Sequence, residues 1–268
     1  MSGNTRAPLA KWALSAVFLV FLCAGLYAGA RIIAIRREYT ASAREYARLR
    51  QEYSPAAADY TAPGTDVDFP STEGSGSAGG ANENSAAPSG GNQAGRASYR
   101  DPGEINQDYV GWLNIPDTSV SFPVVQAENN EKYLDTSFEG RQNRLGAVFM
   151  DYRCRRESRH IIVYGHNGRG GAMFGALQHY LQPDYLEKHR HLSFINADGT
   201  VESWRIFSAN RIDAPDAVYP VDFFNEEAFL LFADDLGAPA ESGRIFTMST
   251  CTGNVNSGVR LILHAAPF

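Results

Sequence analysis

Apolar and polar positions divide the chain into three stretches. Trp12 to Ala30 is nineteen consecutive residues without a charge, close to the roughly 20 that a helix needs to cross a bilayer core. Residues 31–50 continue as a helical pattern without a break. Ser71 to Gly95 is dominated by Gly, Ser, Ala and Asn, with only Glu73 and Glu83 charged. Such a stretch cannot bury enough apolar surface to offset its ordering entropy. From Tyr99 short apolar runs recur between turn residues: 111–115, 120–125, 147–150, 161–164, 192–195, 201–212, 244–249 and 259–264. Many short strands with turn punctuation predict a barrel or sandwich. Short helices are expected at 102–109, 129–134, 173–181 and 183–189. The clearest is 225–236, with Asn225 as cap and Phe229, Leu230, Phe232 and Ala233 on its apolar face.

Charge follows the same division. Residues 1–50 carry eight Lys/Arg against two Asp/Glu, 51–96 one against six, and 97–268 fifteen against twenty-two. The acidic body excludes a general nucleic-acid binder. The expected organisation is a cytoplasmic N-terminus at 1–10, a transmembrane anchor at 11–31 with residues 12–30 in the membrane, and a juxtamembrane helix at 32–52. A flexible low-complexity linker at 53–98 and a body at 99–268 complete it. A linker of about 45 residues reaches on the order of 35–40 Å, suiting a body held off a membrane. Ala28-Gly29-Ala30 offers the alternative of a cleaved signal peptide. Counting Arg residues mildly favours the C-terminal side inside, against an external body.

Three cysteines cannot build a disulfide framework. Cys23 falls in the apolar span. Cys154 reads as exposed and incidental in the 151–159 loop, beside the basic run Arg153, Arg155, Arg156 and Arg159, which is either a solvated loop or a contact for anionic polymer. Cys251 closes a strand, where a thiol can be presented to a cleft, although a lone Cys is more often core. His166, in Tyr164-Gly165-His166-Asn167, leaves a strand into a Gly-rich loop and suits general acid–base work. Arg260 opens the last strand nine residues after Cys251, and adjacent antiparallel strands would bring the two together. A thiol, an imidazole and a guanidinium at three strand ends suit acyl transfer. No Asp or Asn partner for His166 declares itself. No calcium-loop pattern is visible, so neither a metal nor a cofactor is expected.

These residues resemble the sortase family, class B, over 99–268. The resemblance rests on Tyr109-Val110-Gly111-Trp112-Leu113-Asn114-Ile115-Pro116, Phe122-Pro123-Val124-Val125-Gln126, Gly146-Ala147-Val148-Phe149-Met150-Asp151, and Tyr164-Gly165-His166-Asn167. Thr247-Met248-Ser249-Thr250-Cys251 and Val259-Arg260-Leu261-Ile262-Leu263 complete it. It implies an eight-stranded, mainly β barrel with a helix between strands 6 and 7. It also implies a membrane-anchored cysteine transpeptidase of Gram-positive cells, single-pass, with its catalytic domain extracellular.

In that reading Cys251 attacks the Thr carbonyl of a C-terminal sorting signal on a surface protein and forms a thioacyl intermediate. His166 serves the leaving and incoming amines, and Arg260 holds substrate and stabilises the oxyanion. Ser249, Thr250 and Tyr219 would bind substrate. The acceptor is an amine of a cell-wall precursor, or a pilin lysine in a polymerising relative. A hydrolytic cysteine peptidase and an inactive binding module are the competing classes.

Overall fold

Eight short runs, most of them buried along nearly their whole length, close a barrel. In the computed structural model, which describes residues 6–53, 101–213, 219–240, 242–251 and 258–268, the strands are β1 (Tyr109–Asn114), β2 (Ser121–Val125), β3 (Val148–Met150), β4 (His160–Tyr164), β5 (His191–Asn196), β6 (Val201–Ile212), β7 (Ile245–Cys251) and β8 (Arg260–Pro267). The side chains of residues 6–11, 13, 14 and 251 lie outside this description, as do the N-terminal five residues and nearly all of the low-complexity linker expected over 53–98. The strand order around the barrel is β1-β2-β3-β4-β7-β8-β6-β5. β2–β3 and β4–β7 pair parallel, and every other neighbouring pair is antiparallel. All eight expected strands are present, with ends shifted by up to three residues.

Large side chains fill the interior. Trp112, Phe174, Trp204, Leu113 and Phe246 are essentially inaccessible. Trp112 is a costly indole to bury unless its N–H is satisfied, and Nε1 donates to Ser121 Oγ at 3.0 Å on the paired strand. Gly146 precedes β3 with φ +55°, and a Cβ there would lie 2.1 Å from the Tyr133 carbonyl oxygen. Only glycine fits both demands.

The helices are shorter than the apolar pattern suggests. The expected helix from Pro102 is a single 3-10 turn, Pro102–Glu104, capped by Asp101, whose Oδ1 accepts from Gly103 N at 2.9 Å. The 132–134 and 174–181 stretches are also 3-10. Among the described residues, the α-helices after α1 (Arg6–Tyr53) are α2 (Pro183–Lys188) and α3 (Glu226–Asp235). Asn225 caps α3, its Oδ1 accepting from Ala228 N at 2.8 Å. The face carrying Phe229 and Ala233 packs on Ile245 of β7.

α1 has two parts with different surroundings. Its residues 15–33 are exposed along an apolar surface, except for half-buried Gly29. Its C-terminal turns instead join the core of the body. Tyr46, Leu49 and Tyr53 are buried there, spaced 3 and 4 apart so that they share one helix face. The Tyr46 ring meets Phe122 edge-on at 5.5 Å, and its hydroxyl donates to the Gly146 carbonyl at 3.0 Å. Arg50 donates to the Ser119 carbonyl at 3.2 Å, and buried Glu45 pairs with Arg141 at 3.0 Å. The C-terminal turns of α1 and the barrel thus share one core.

Candidate active site

Three strands converge where the chemistry was expected. β4 ends at Tyr164, opposite Ser249 of β7, and the next residue, Gly165, donates its N–H to the Ser249 carbonyl at 3.2 Å. A Cβ on Gly165 would approach the Phe174 ring to 2.7 Å. The chain can therefore turn out of β4 close over Phe174 and deliver His166 to the barrel rim. On the other side of β7, Cys251 stands directly opposite Arg260 of β8. The pairing expected from the nine-residue spacing is present in the backbone register.

A cavity of about 300 Å³ opens at this rim. His166, Ser249, Thr250, Tyr219 and Arg260 line it, together with Asn130, Leu134, Phe149 and Tyr164, which were not among the expected site residues. His166 is half-buried, and its Nε2 lies 2.7 Å from the Leu134 carbonyl oxygen. A carbonyl only accepts, so Nε2 carries the proton and Nδ1 is the basic nitrogen of the neutral ring. The Tyr219 and Ser249 hydroxyls are hydrogen-bonded at 2.5 Å. Buried Thr250 sits beside the expected nucleophile on β7.

One wall of the cavity is built on Asp151, which is completely buried just after β3. Its carboxylate accepts from Arg153 Nε at 2.9 Å and Nη2 at 2.8 Å, Tyr164 hydroxyl at 2.9 Å and Asn130 Nδ2 at 3.0 Å. Burial alone would raise its pKa, but these donors outweigh it and hold the carboxyl below its usual range. Tyr164 and Asn130 are thereby fixed at the cavity. Tyr164 packs edge-on against Tyr219 at 5.7 Å. The only sequence trace of this hub is one Asp after an apolar run, which has no distinctive spacing.

Cys154 corrects another expectation. It is buried, with Sγ accepting from Ile162 N at 3.4 Å. Burial pushes its thiol up to about 12, so it is an inert core residue. The neighbouring arginines are largely committed within the chain: Arg153 to Asp151, Arg156 to Asp198 and Arg159 to Glu226. This argues against an open anionic-polymer patch.

Residues 113–268 match the family described as Sortase domain. Sortase B of Staphylococcus aureus (strain NCTC 8325 / PS 47) is 32% identical over 167 residues, covering 58% of this chain and 68% of that protein. Sortase B of Listeria monocytogenes serovar 1/2a is 39% identical over 101 residues, covering 37% and 41%. A solved Staphylococcus aureus sortase B–substrate complex superposes with a TM-score of 0.57 at 30% identity, covering 62% of this chain and 82% of that one. Bacillus anthracis sortase B in complex with AAEK1 gives 0.56 at 28%, covering 62% and 81%. Fold and likeness together define a cysteine transpeptidase. The chain belongs to the sortase family, and within it to class B.

Proposed function

We propose that this transpeptidase cleaves a C-terminal sorting signal after Thr and joins the shortened protein to an amine of a cell-wall precursor. The observation that carries the reading is the register of Cys251 against Arg260, beside a His166 held at the same rim. Cys251 passes its proton to His166 and attacks the Thr carbonyl carbon. Arg260 supports the negative charge that develops on the oxygen. His166 returns the proton to the departing amine as the C–N bond breaks, leaving a thioester. The incoming amine attacks that thioester and gives its proton through His166 to the released thiolate. Ser249, Thr250 and Tyr219, with Asn130, Leu134 and Tyr164 around them, bind the residues preceding Thr.

The apolar half of α1 anchors the enzyme in the cell membrane with a single pass, the body lying outside. Its length, composition and the exposure of nearly all of residues 15–33 support this reading. Reporter fusions at Phe268, one active only outside the membrane and one only inside, test the orientation.

The catalytic reading is tested with the full chain, a set of quenched fluorescent peptides with one fixed Thr, and oligoglycine or diaminopimelic acid as acceptor. Amide product that disappears in Cys251→Ala supports transpeptidation. Free acid alone, whatever the acceptor, supports a peptidase, and no turnover supports a binding module.

A further inference from the structure

Beneath the rim, three completely or nearly buried polar side chains cross the strands that carry the proposed chemistry. His160 of β4, Thr247 of β7 and His264 of β8 are 0%, 0% and 4% exposed. His160 Nδ1 lies 2.7 Å from the Pro220 carbonyl oxygen, and its Nε2 lies 2.6 Å from Thr247 Oγ1. Thr247 Oγ1 lies 2.8 Å from His264 Nδ1. One arrangement of protons satisfies all three contacts with neutral rings. The Pro220 carbonyl only accepts, so His160 Nδ1 donates to it and Nε2 must accept. The Thr247 hydroxyl then donates to Nε2 and accepts from His264 Nδ1–H. Burial depresses both imidazoles, His160 to about 4 and His264 to about 3, which keeps the rings neutral.

Thr247 and His264 stand opposite one another in the β7–β8 register. Thr247 is four residues before Cys251, and His264 four after Arg260. The chain ends on the carbonyl next to Tyr219, whose own carbonyl accepts from Arg153 Nη2 at 3.2 Å. Tyr219 and Pro220 are thus held at consecutive carbonyls by groups rooted in the barrel, and the Tyr219 hydroxyl meets Ser249 in the cavity.

We infer that Thr247 is a positioning residue, the centre of a His160–Thr247–His264 brace that fixes Tyr219 against Ser249 and so shapes the wall that receives the sorting signal. The inference deepens the proposed function and rests on reading the cavity as the substrate site. A pure packing role for Thr247 would need only its shape, which Val supplies. The brace needs its hydroxyl, which both donates and accepts and which Ser retains.

The test compares the full chain in detergent micelles with Thr247→Val and Thr247→Ser. The probe is the most rapidly cleaved member of the fixed-Thr peptide set. The brace predicts that Thr247→Val raises KM about tenfold with kcat within about threefold, and that Thr247→Ser keeps KM near wild type. An unchanged KM in Thr247→Val, or an equal rise in both variants, overturns it. Hydrogen exchange at the Tyr219 and Val221 amides reads the brace without any substrate. Exchange there should quicken in Thr247→Val and not in Thr247→Ser, and equal rates in all three chains overturn the brace. Absence of peptide turnover by the wild type would sink the substrate reading alone, because the exchange measurement still decides the brace.

Discussion

The Nε2 of His166 lies 2.7 Å from the carbonyl oxygen of Leu134, a backbone group in the connection between β2 and β3. The partner that no Asp or Asn in the sequence declared is therefore a main-chain carbonyl. It fixes the tautomer and the ring plane without adding a charge. Replacing His166 by Gln should lower kcat/KM by about 10²–10⁴ while the barrel stays folded. Peptide turnover together with far-UV circular dichroism checks this, and turnover within tenfold of wild type would remove His166 from the chemistry.

Arg260 stands opposite Cys251 on neighbouring strands. Arg260→Lys keeps the charge and loses the planar fork of donors. We expect kcat to fall by about 10²-fold or more in Arg260→Ala and to be only partly restored in Arg260→Lys. Steady-state kinetics on both variants measures it.

Asp151→Asn removes the charge and replaces one of the two accepting oxygens by an NH2 donor, so Arg153, Tyr164 and Asn130 lose part of their shared acceptor. Asp151→Asn should destabilise the chain by about 1–3 kcal/mol, the cost of leaving buried polar groups poorly partnered. It should also raise KM, because Tyr164 lines the cavity. A thermal melt and a peptide titration give the two readings.

The buried imidazoles set an acid limit. His160 and His264 titrate near 4 and 3 in the folded chain, below the unfolded value of 6.5. Between these values the unfolded chain binds more protons, so stability rises with pH. Their contribution is fully present above about pH 6.5 and is lost as pH falls toward 3, at up to about 1.4 kcal/mol per pH unit for each ring. Denaturant melts of wild type and His264→Phe across pH 4–7 should show a shallower slope in the variant.

Docking of α1 makes a physical prediction about the chain after Tyr53. A specific protease site placed within residues 60–95 should be cut without separating the pieces, since Tyr46, Leu49 and Tyr53 lie in the core of the body. Leu49→Ala should weaken that attachment by about 2–5 kcal/mol. Co-elution of the fragments after cleavage checks the first statement, and the urea concentration that parts them checks the second.

The strands were legible because each is an apolar run ended by turn residues, and β7 and β8 were legible as neighbours from the short connection between Cys251 and Arg260. The parallel pairings β2–β3 and β4–β7 were not, since nothing local in Val148 or Ile245 names a distant partner. The docking face of α1 was hidden for a related reason. Tyr46, Leu49 and Tyr53 alternate with Arg48, Arg50 and Glu52, which reads as a solvated helix until Phe122 and Gly146 are brought to it by the fold. Cys154 was misread because four arginines surround it in sequence, while its side chain turns inward to β4. His160 and His264 were indistinguishable from the other histidines until the barrel placed Thr247 between them.

The central claim is that Cys251 carries the acyl group of a Thr-containing signal. It is tested most directly by mixing the full chain with a peptide of the fixed-Thr set, quenching in acid and mapping the adduct by mass spectrometry. The account predicts a thioester on Cys251 ending in Thr, discharged by added amine with formation of an amide. An acyl group on another residue, or cleavage of the peptide that persists unchanged in Cys251→Ala, would contradict it.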